Sequence, residues 1–187
     1  NFVNGQTDVY KLIRAQLDTI YTDDQSDRLK MNDIKKKYGM QSPEMKALWQ
    51  QIELKDSINL VKVKQIIDNY GWPGPEEVGK KGSKTIFLVI QHADSLTQVT
   101  NLPLMREAVK QKKAAPEHLA LLEDRVLIKQ GKPQIYGSQV KTNAAGKNEF
   151  YPILDEKNVN ARRASAGLEP LEKYARYFDI IYEIPKD

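Results

Sequence analysis

Apolar residues recur at helical spacing through the first two thirds of this chain, and only after Gly131 does the texture change. Val9, Ile13, Leu17, Ile20 and Tyr21 fall near a 3.6-residue repeat and predict an amphipathic helix from Asp8. The polar segment Asp23 to Arg28 follows, read either as a solvated turn or as a functional stretch. Met31, Ile34 and Tyr38 mark one face of a lysine-rich helix over Leu29 to Tyr38. Ser42-Pro43 starts the next, with serine as N-cap and proline in the first turn, and Met45, Leu48, Trp49 and Ile52 give its face. Around Lys55-Asp56-Ser57 the pattern loses phase, and a second helix then carries Leu60, Val63, Ile67 and Tyr70 to a stop at Gly71. Trp72-Pro73-Gly74-Pro75 forbids continuation, as a loop that either lines a pocket or redirects the chain.

The most apolar run, Thr85 to Ile90, ends in the tetrad Gln91-His92-Ala93-Asp94. Periodicity cannot separate a buried strand from a helix over so short a run, but its neighbours on both sides are helical, so a helix capped by Ser83 is predicted. Asn101 and Pro103 open another, and Pro116 opens the last of the series, closed by Gly131. In that helix Leu119, Ala120, Leu121, Leu122, Val126, Leu127 and Ile128 surround the whole circumference, the pattern of a buried element. Asp124 and Arg125 therefore need each other, another polar group or a ligand. As an ion pair they predict a cost of roughly 3 to 5 kcal/mol for Arg125→Ala.

After Gly131, Gln134 to Val140 alternates polar and apolar residues, Asn143 to Gly146 makes a turn, and Glu149 to Leu154 follows, together predicting a small β-hairpin over about 134–154. Asp155 to Ala166 reads as a short helix stopped by Gly167, Pro170 begins a final one through Phe178, and Ile180 to Ile184 reads as a third short strand. The fold class is mainly α, a helical bundle with an appended hairpin. All 187 residues fit one domain with a sizeable core.

Composition narrows the class without naming a reaction. Hydrophobic residues at 40% and charged ones at 29% are ordinary for a globular protein. The formal charge of +4 arises from 29 basic and 25 acidic residues that alternate along the chain, and the basic spots at Lys35 to Lys37 and Lys110 to Lys113 lack interleaved aromatics. No nucleic-acid partner is expected from that pattern. No uncharged run reaches the length of a transmembrane helix. With no cysteine, a disulfide framework, a thiolate metal site and a cysteine nucleophile are all excluded. The chain opens on Asn1 and not on methionine, which suggests a removed tag or secretion signal. An exported, periplasmic placement is expected on that basis, with a cytoplasmic one left open.

The candidate chemistry centres on His92, which can serve as general base or acid near neutral pH, with Asp94 or Asp124 to fix its tautomer. Arg125 would clamp an anion through its fork of donors. Gln91, Gln134, Tyr136, Gln139, Arg162, Arg163 and Trp72 complete the candidate binding set, with Gln25 and Arg28 as further members. If the two most apolar helices pack side by side, His92, Asp124, Arg125, Gln134 and Tyr136 converge on one concave patch under the hairpin strand, with Trp72 or Gln91 at its rim. The plainer alternative is a core histidine in a buried polar network, within a non-catalytic binding or structural module. His118, in the first turn of an exposed-looking helix, is set aside. One well-placed histidine, without a two-histidine helical spacing or a calcium loop, gives no expectation of a metal, and the lack of a phosphate-cradling glycine loop gives none of a cofactor. The expected ligand is a polar small molecule or a peptide.

Five segments in order, Gly71-Trp72-Pro73, Gln91-His92-Ala93-Asp94, Leu122 to Val126, Gln134 to Gln139, and Arg162-Arg163 with Gly167-Leu168, resemble a bacterial domain-of-unknown-function family, number 6624. Ser138 departs from the threonine expected there and keeps the hydroxyl. The resemblance implies a bacterial, often exported or lipid-anchored protein, and implies no activity.

Overall fold

The run Thr85–Ile90 becomes the centre of a helical bundle, because an element apolar on every side is stable only when neighbours cover all of it. The structure, a computed structural model, describes the backbone of residues 2–185 and side chains from residue 8 to residue 185. Helix α1 spans Phe2–Arg28, α2 Met31–Tyr38, α3 Pro43–Tyr70, α4 Pro75–His92, α5 Ser95–Lys110 and α6 Pro116–Lys129. Helix α4 packs against α1, α3, α5 and α6, while α2 packs on α3. Leu17, Ile20, Val63, Ile86, Ile90, Met105 and Leu122 are sealed in the shared core. Burying each such side chain is worth roughly 1.5 to 3 kcal/mol. Among the described residues no helix is long and apolar enough to cross a membrane.

Several helix boundaries differ from those predicted, each for a local reason. Asp23 to Arg28 is no turn but the end of α1, where Asp24 and Asp27 are buried and carry Arg28, His92, Lys30 and Lys55 as partners. Helix α3 runs unbroken through Lys55-Asp56-Ser57, since Lys55 bonds Asp27 and Asp56 bonds Arg28 across the α1 interface. The anchor helix starts at Pro75 and not at Ser83. It kinks at Gly79, whose φ of 76° belongs to the left-handed region that glycine enters without a Cβ clash, and Ser83 Oγ donates instead to the Lys113 carbonyl. Asp94 caps α5 by accepting from the Thr97 amide, so Pro103 falls inside that helix, where it removes one ladder donor, and does not open it.

The hairpin is shorter than its alternation suggested. Strand β1, Val140–Thr142, pairs antiparallel with β2, Asn148–Phe150, in the register Val140 to Phe150. Gln134 to Gln139 forms a loop, joined to Ile153 only by an isolated bridge at Gln134, because its amides are drawn to a side chain on α6. Beyond a 3-10 turn at Glu156–Asn158 come α7, Val159–Ser165, and α8, Leu171–Ala175. Ile180 to Ile184 forms no strand; Tyr182 instead sets its ring edge-on to Phe150 at 5.4 Å.

Candidate functional site

At the end of the bundle where α1 finishes and α5 begins, a cleft of about 500 Å³ opens among five helices. Arg28 comes from α1, Trp49, Ile52, Glu53 and Asp56 from α3, Gln91 and His92 from the end of α4, Ser95 and Gln98 from α5, and Arg125 and Lys129 from α6, with Ala93 and Asp94 at the α4–α5 junction. The volume is in the range of small-molecule sites. His92 is the last residue of α4, and its Nδ1 lies 2.9 Å from Oδ1 of Asp24, a carboxylate 1% exposed. Burial alone would push the Asp24 carboxyl up; the hydrogen bond and charge of His92, with Gln25 and Arg28, outweigh it and hold the group below the ordinary aspartate value. A buried ionised carboxylate at Nδ1 selects the tautomer whose Nδ1 carries the proton and leaves Nε2 as an acceptor.

Arg28 ties this dyad to α3. Its Nη1 lies 3.3 Å from Asp24 Oδ1 and its Nη2 2.6 Å from Asp56 Oδ2. One ligand atom each from Asp24, Asp56 and His92 lies within 4.8 Å of the others, a donor set of nitrogen and oxygen that suits a divalent cation. The guanidinium of Arg28 already supplies the positive charge that the two carboxylates require, and a metal ion entering there would have to displace it.

Helix α6 divides the predicted cluster in two. Successive residues point about 100° apart around a helix, so Asp124 faces the chain beyond Gly131 while Arg125 faces the cleft. The expected ion pair between them does not form. Asp124, fully buried, accepts from the amides of Ile135 (2.6 Å), Tyr136 (3.0 Å) and Ser138 (2.9 Å) and so shapes the loop. Gly137, at φ 69°, lets the loop turn between those donors, and a Cβ there would meet Ile153 and Leu171 at 3.0 Å. Gln134 spans the loop, its Nε2 donating to the carbonyls of Gln139 and Tyr151 and its Oε1 accepting from the Gln139 amide, while Gln139 Nε2 reaches Ser138 Oγ. The Tyr136 hydroxyl lies 3.5 Å from Glu123, and burial raises its pKa above the ordinary tyrosine value, with Glu123 adding to the effect.

Two arginines finish this second cluster. Arg162 donates to the carbonyls of Ile135, Leu154 and Asp155. Arg163, 1% exposed, donates to the carbonyls of Glu169 and Tyr136 and lies over the Tyr174 ring at 4.8 Å. Asp124, Gln134, Tyr136, Gln139, Arg162 and Arg163 thus hold the loop and α7 together mostly through bonds to or from backbone, and none of them lines the cleft.

Of the predicted site residues, the cleft gathers Gln91, His92, Asp94, Arg125 and Arg28. Asp94 does not orient His92; its carboxylate is spent on Thr97 as the α5 cap. Trp72 is at no rim but in the core, 6% exposed among Val78, Phe87 and their neighbours. His118 is half-buried and stacks on Phe87 at 4.3 Å, where burial lowers its pKa. Sequence reading missed Asp24, Asp56 and Gln98. A signal existed: Ile13, Leu17, Ile20, Asp24 and Asp27 form one unbroken stripe, as do Ile52, Asp56, Asn59 and Val63, so polar residues stand where apolar ones would keep the helical phase.

Arg125 makes no ion pair or hydrogen bond among the described residues; its Nε is buried without a partner, and burial pulls the group below the ordinary arginine value. Removing it therefore relieves a desolvated charge and orphans no buried carboxylate. Arg125→Met is expected to change stability by less than about 1 kcal/mol, in contrast to the 3 to 5 kcal/mol cost of breaking a buried pair. Urea denaturation of the variant checks this, and a loss near the larger figure would mean that Arg125 has a partner in solution.

No curated protein and no solved structure matches the chain. A family model described as a family of unknown function, DUF6624, matches residues 13–186 and with them every residue that lines the cleft, and the chain belongs to that family.

Proposed function

We propose that the cleft binds a charged, polar small molecule or peptide and that His92 performs acid–base chemistry on it, oriented by Asp24. The observation that carries this reading is the 2.9 Å contact between His92 Nδ1 and a buried carboxylate at the edge of an open cleft. Such a partner suits a histidine to serve as a base, since the bond at Nδ1 fixes the ring and directs the Nε2 lone pair elsewhere. Asp24 takes the orienting part that the sequence offered to Asp94 or Asp124. Arg125 and Lys129, one helical turn apart on α6, supply positive charge to an anionic part of the ligand.

Long-range nitrogen–proton NMR of the imidazole tests the reading. The wild-type spectrum is expected to show His92 protonated at Nδ1 with an unprotonated Nε2 at mildly alkaline pH, and Asp24→Asn is expected to mix the tautomers. A wild-type ring carrying its proton on Nε2 would leave no base facing a ligand and would end the proposal. A second reading, a non-catalytic module in which the same residues specify the core, is favoured by the Asp27 network, where Lys30 and Lys55 close at 2.7 and 2.6 Å on a buried carboxylate beside the site. On that reading a fully bonded histidine would show no Nε2 lone pair open to solvent, and the same spectra separate the two.

A further inference from the structure

Buried polar atoms are almost always hydrogen-bonded, so those that are not carry information about what is missing. Three such atoms belong to residues that line the cleft: Asp56 Oδ1, Gln98 Oε1 and Arg125 Nε. Gln98 is 3% exposed, and its Nε2 is held by the carbonyls of Gln91 and Ala93, so its oxygen cannot turn away to find a donor without breaking two bonds. The three comprise two acceptors and one donor. Charge repeats the pattern on a larger scale. Glu53 and Asp56, three residues apart on α3, give the cleft an acidic wall, and Arg125 and Lys129, four apart on α6, give it a basic one. Glu53, Arg125 and Lys129 form no ion pair among the described residues, and none joins the two walls, although their signs are opposite. Unpaired charges of opposite sign that face one space without meeting each other are complementary to a ligand carrying both signs.

Resting on the reading of this cleft as a ligand site, we propose that it takes a small zwitterion with a primary ammonium and a carboxylate, the chemistry of a free amino acid or of a short unblocked peptide. The ammonium donates to Asp56 Oδ1 and Gln98 Oε1. The carboxylate accepts from the Arg125 guanidinium, with Lys129 adding charge nearby. Arg28 is not available for that task, because both of its ends are held by Asp24 and Asp56. The arrangement brings the ligand into the cleft that His92 lines, which is the placement acid–base chemistry requires.

Isothermal titration at low ionic strength decides the matter with four probes: L-alanine, L-alanyl-L-alanine, its N-acetyl derivative and its C-terminal amide. The unblocked dipeptide is expected to bind at least about ten-fold more tightly than either blocked form, the difference that about 1.4 kcal/mol makes. L-Alanine binding as tightly as the dipeptide identifies a single amino acid as sufficient; weaker binding assigns the site to peptides, and both support the proposal. Arg125→Met should erase the preference for a free carboxylate, and Asp56→Asn the preference for a free amine. Because Asp56 also bonds Arg28, the exposed Glu53→Gln provides a second variant of the acidic wall, expected to weaken the amine preference in the same direction. Equal affinity for blocked and unblocked dipeptides, or no saturable binding of any probe, would overturn the proposal and leave the orphaned atoms to water. The ratio of blocked to unblocked affinities does not rest on which His92 nitrogen holds the proton. An absent titration beside the expected tautomer therefore removes the ligand class alone, and a successful titration beside the wrong tautomer removes the acid–base reading alone.

Discussion

Asp124→Ala is expected to cost about 3 to 5 kcal/mol and to release the loop from Gln134 to Gln139. The carboxylate is fully buried and is the acceptor for three amides, those of Ile135, Tyr136 and Ser138. Each buried N–H left without a partner costs roughly 1 to 3 kcal/mol, and bonds to a charged acceptor lie at the upper end of that range. Partial rescue by water keeps the total below a simple sum, since a loop freed from its anchor can turn some amides to solvent. Asp124→Asn keeps one carbonyl oxygen and should lose less than the alanine variant. Denaturant titration gives the stability, and amide exchange at Ile135, Tyr136 and Ser138 reports the loop. Unchanged protection of those three amides in Asp124→Ala would show that something other than the carboxylate holds them.

Arg163→Leu is the second large loss, expected at about 3 kcal/mol. Two effects oppose each other here. Burial disfavours the charge and pulls the guanidinium below its ordinary pKa, so removing it recovers some desolvation energy. Against that, the carbonyls of Glu169 and Tyr136 lose their donor, and the Tyr174 ring loses a cation worth up to about 2 kcal/mol when desolvated. Two orphaned carbonyls and a lost ring contact outweigh one relieved charge. Lysine at this position should rescue little, because a single ammonium cannot reproduce the planar fork that reaches two carbonyls and stacks on a ring. Thermal unfolding of the leucine and lysine variants checks both statements, and a lysine variant as stable as wild type would mean that charge alone matters at this site.

Both residues were visible as candidates in the sequence, yet for a different task. Polar groups in an apolar helix announce that they must be satisfied, but spacing does not say by what. Asp124 found its partners in the backbone of a loop, the first of them eleven residues later, and Arg125, its neighbour in sequence, found no hydrogen bond or ion pair among the described residues. The unanticipated part of the site lies in Asp24, Asp56 and Gln98. Their charged or amide side chains break the apolar pattern, and that break was read as a turn at Asp24 and as a loss of phase at Asp56. The stripe continues through both. A carboxylate at a buried helical position is stable only with a cation or donor opposite, and the identity of that group depends on which helix packs there.

The sequence by itself determined the helical class, the central place of the run Thr85–Ile90, the delivery of His92 to the end of that run, and the change to a small hairpin beyond Gly131. These follow from periodicity, from the cost of exposing apolar surface and from the stop signals of glycine and proline, all of which act within a few residues along the chain. Only the tertiary structure decided that Asp24 from α1 would meet His92 from α4 across a separation of 68 residues. It also decided that Arg28 would bridge Asp24 to Asp56, and that α6 would turn Asp124 to the loop and Arg125 to the cleft. Hydrophobic burial, which is non-directional, brings the helices together; which polar groups then satisfy one another is set by directions and distances that exist only after the helices have packed.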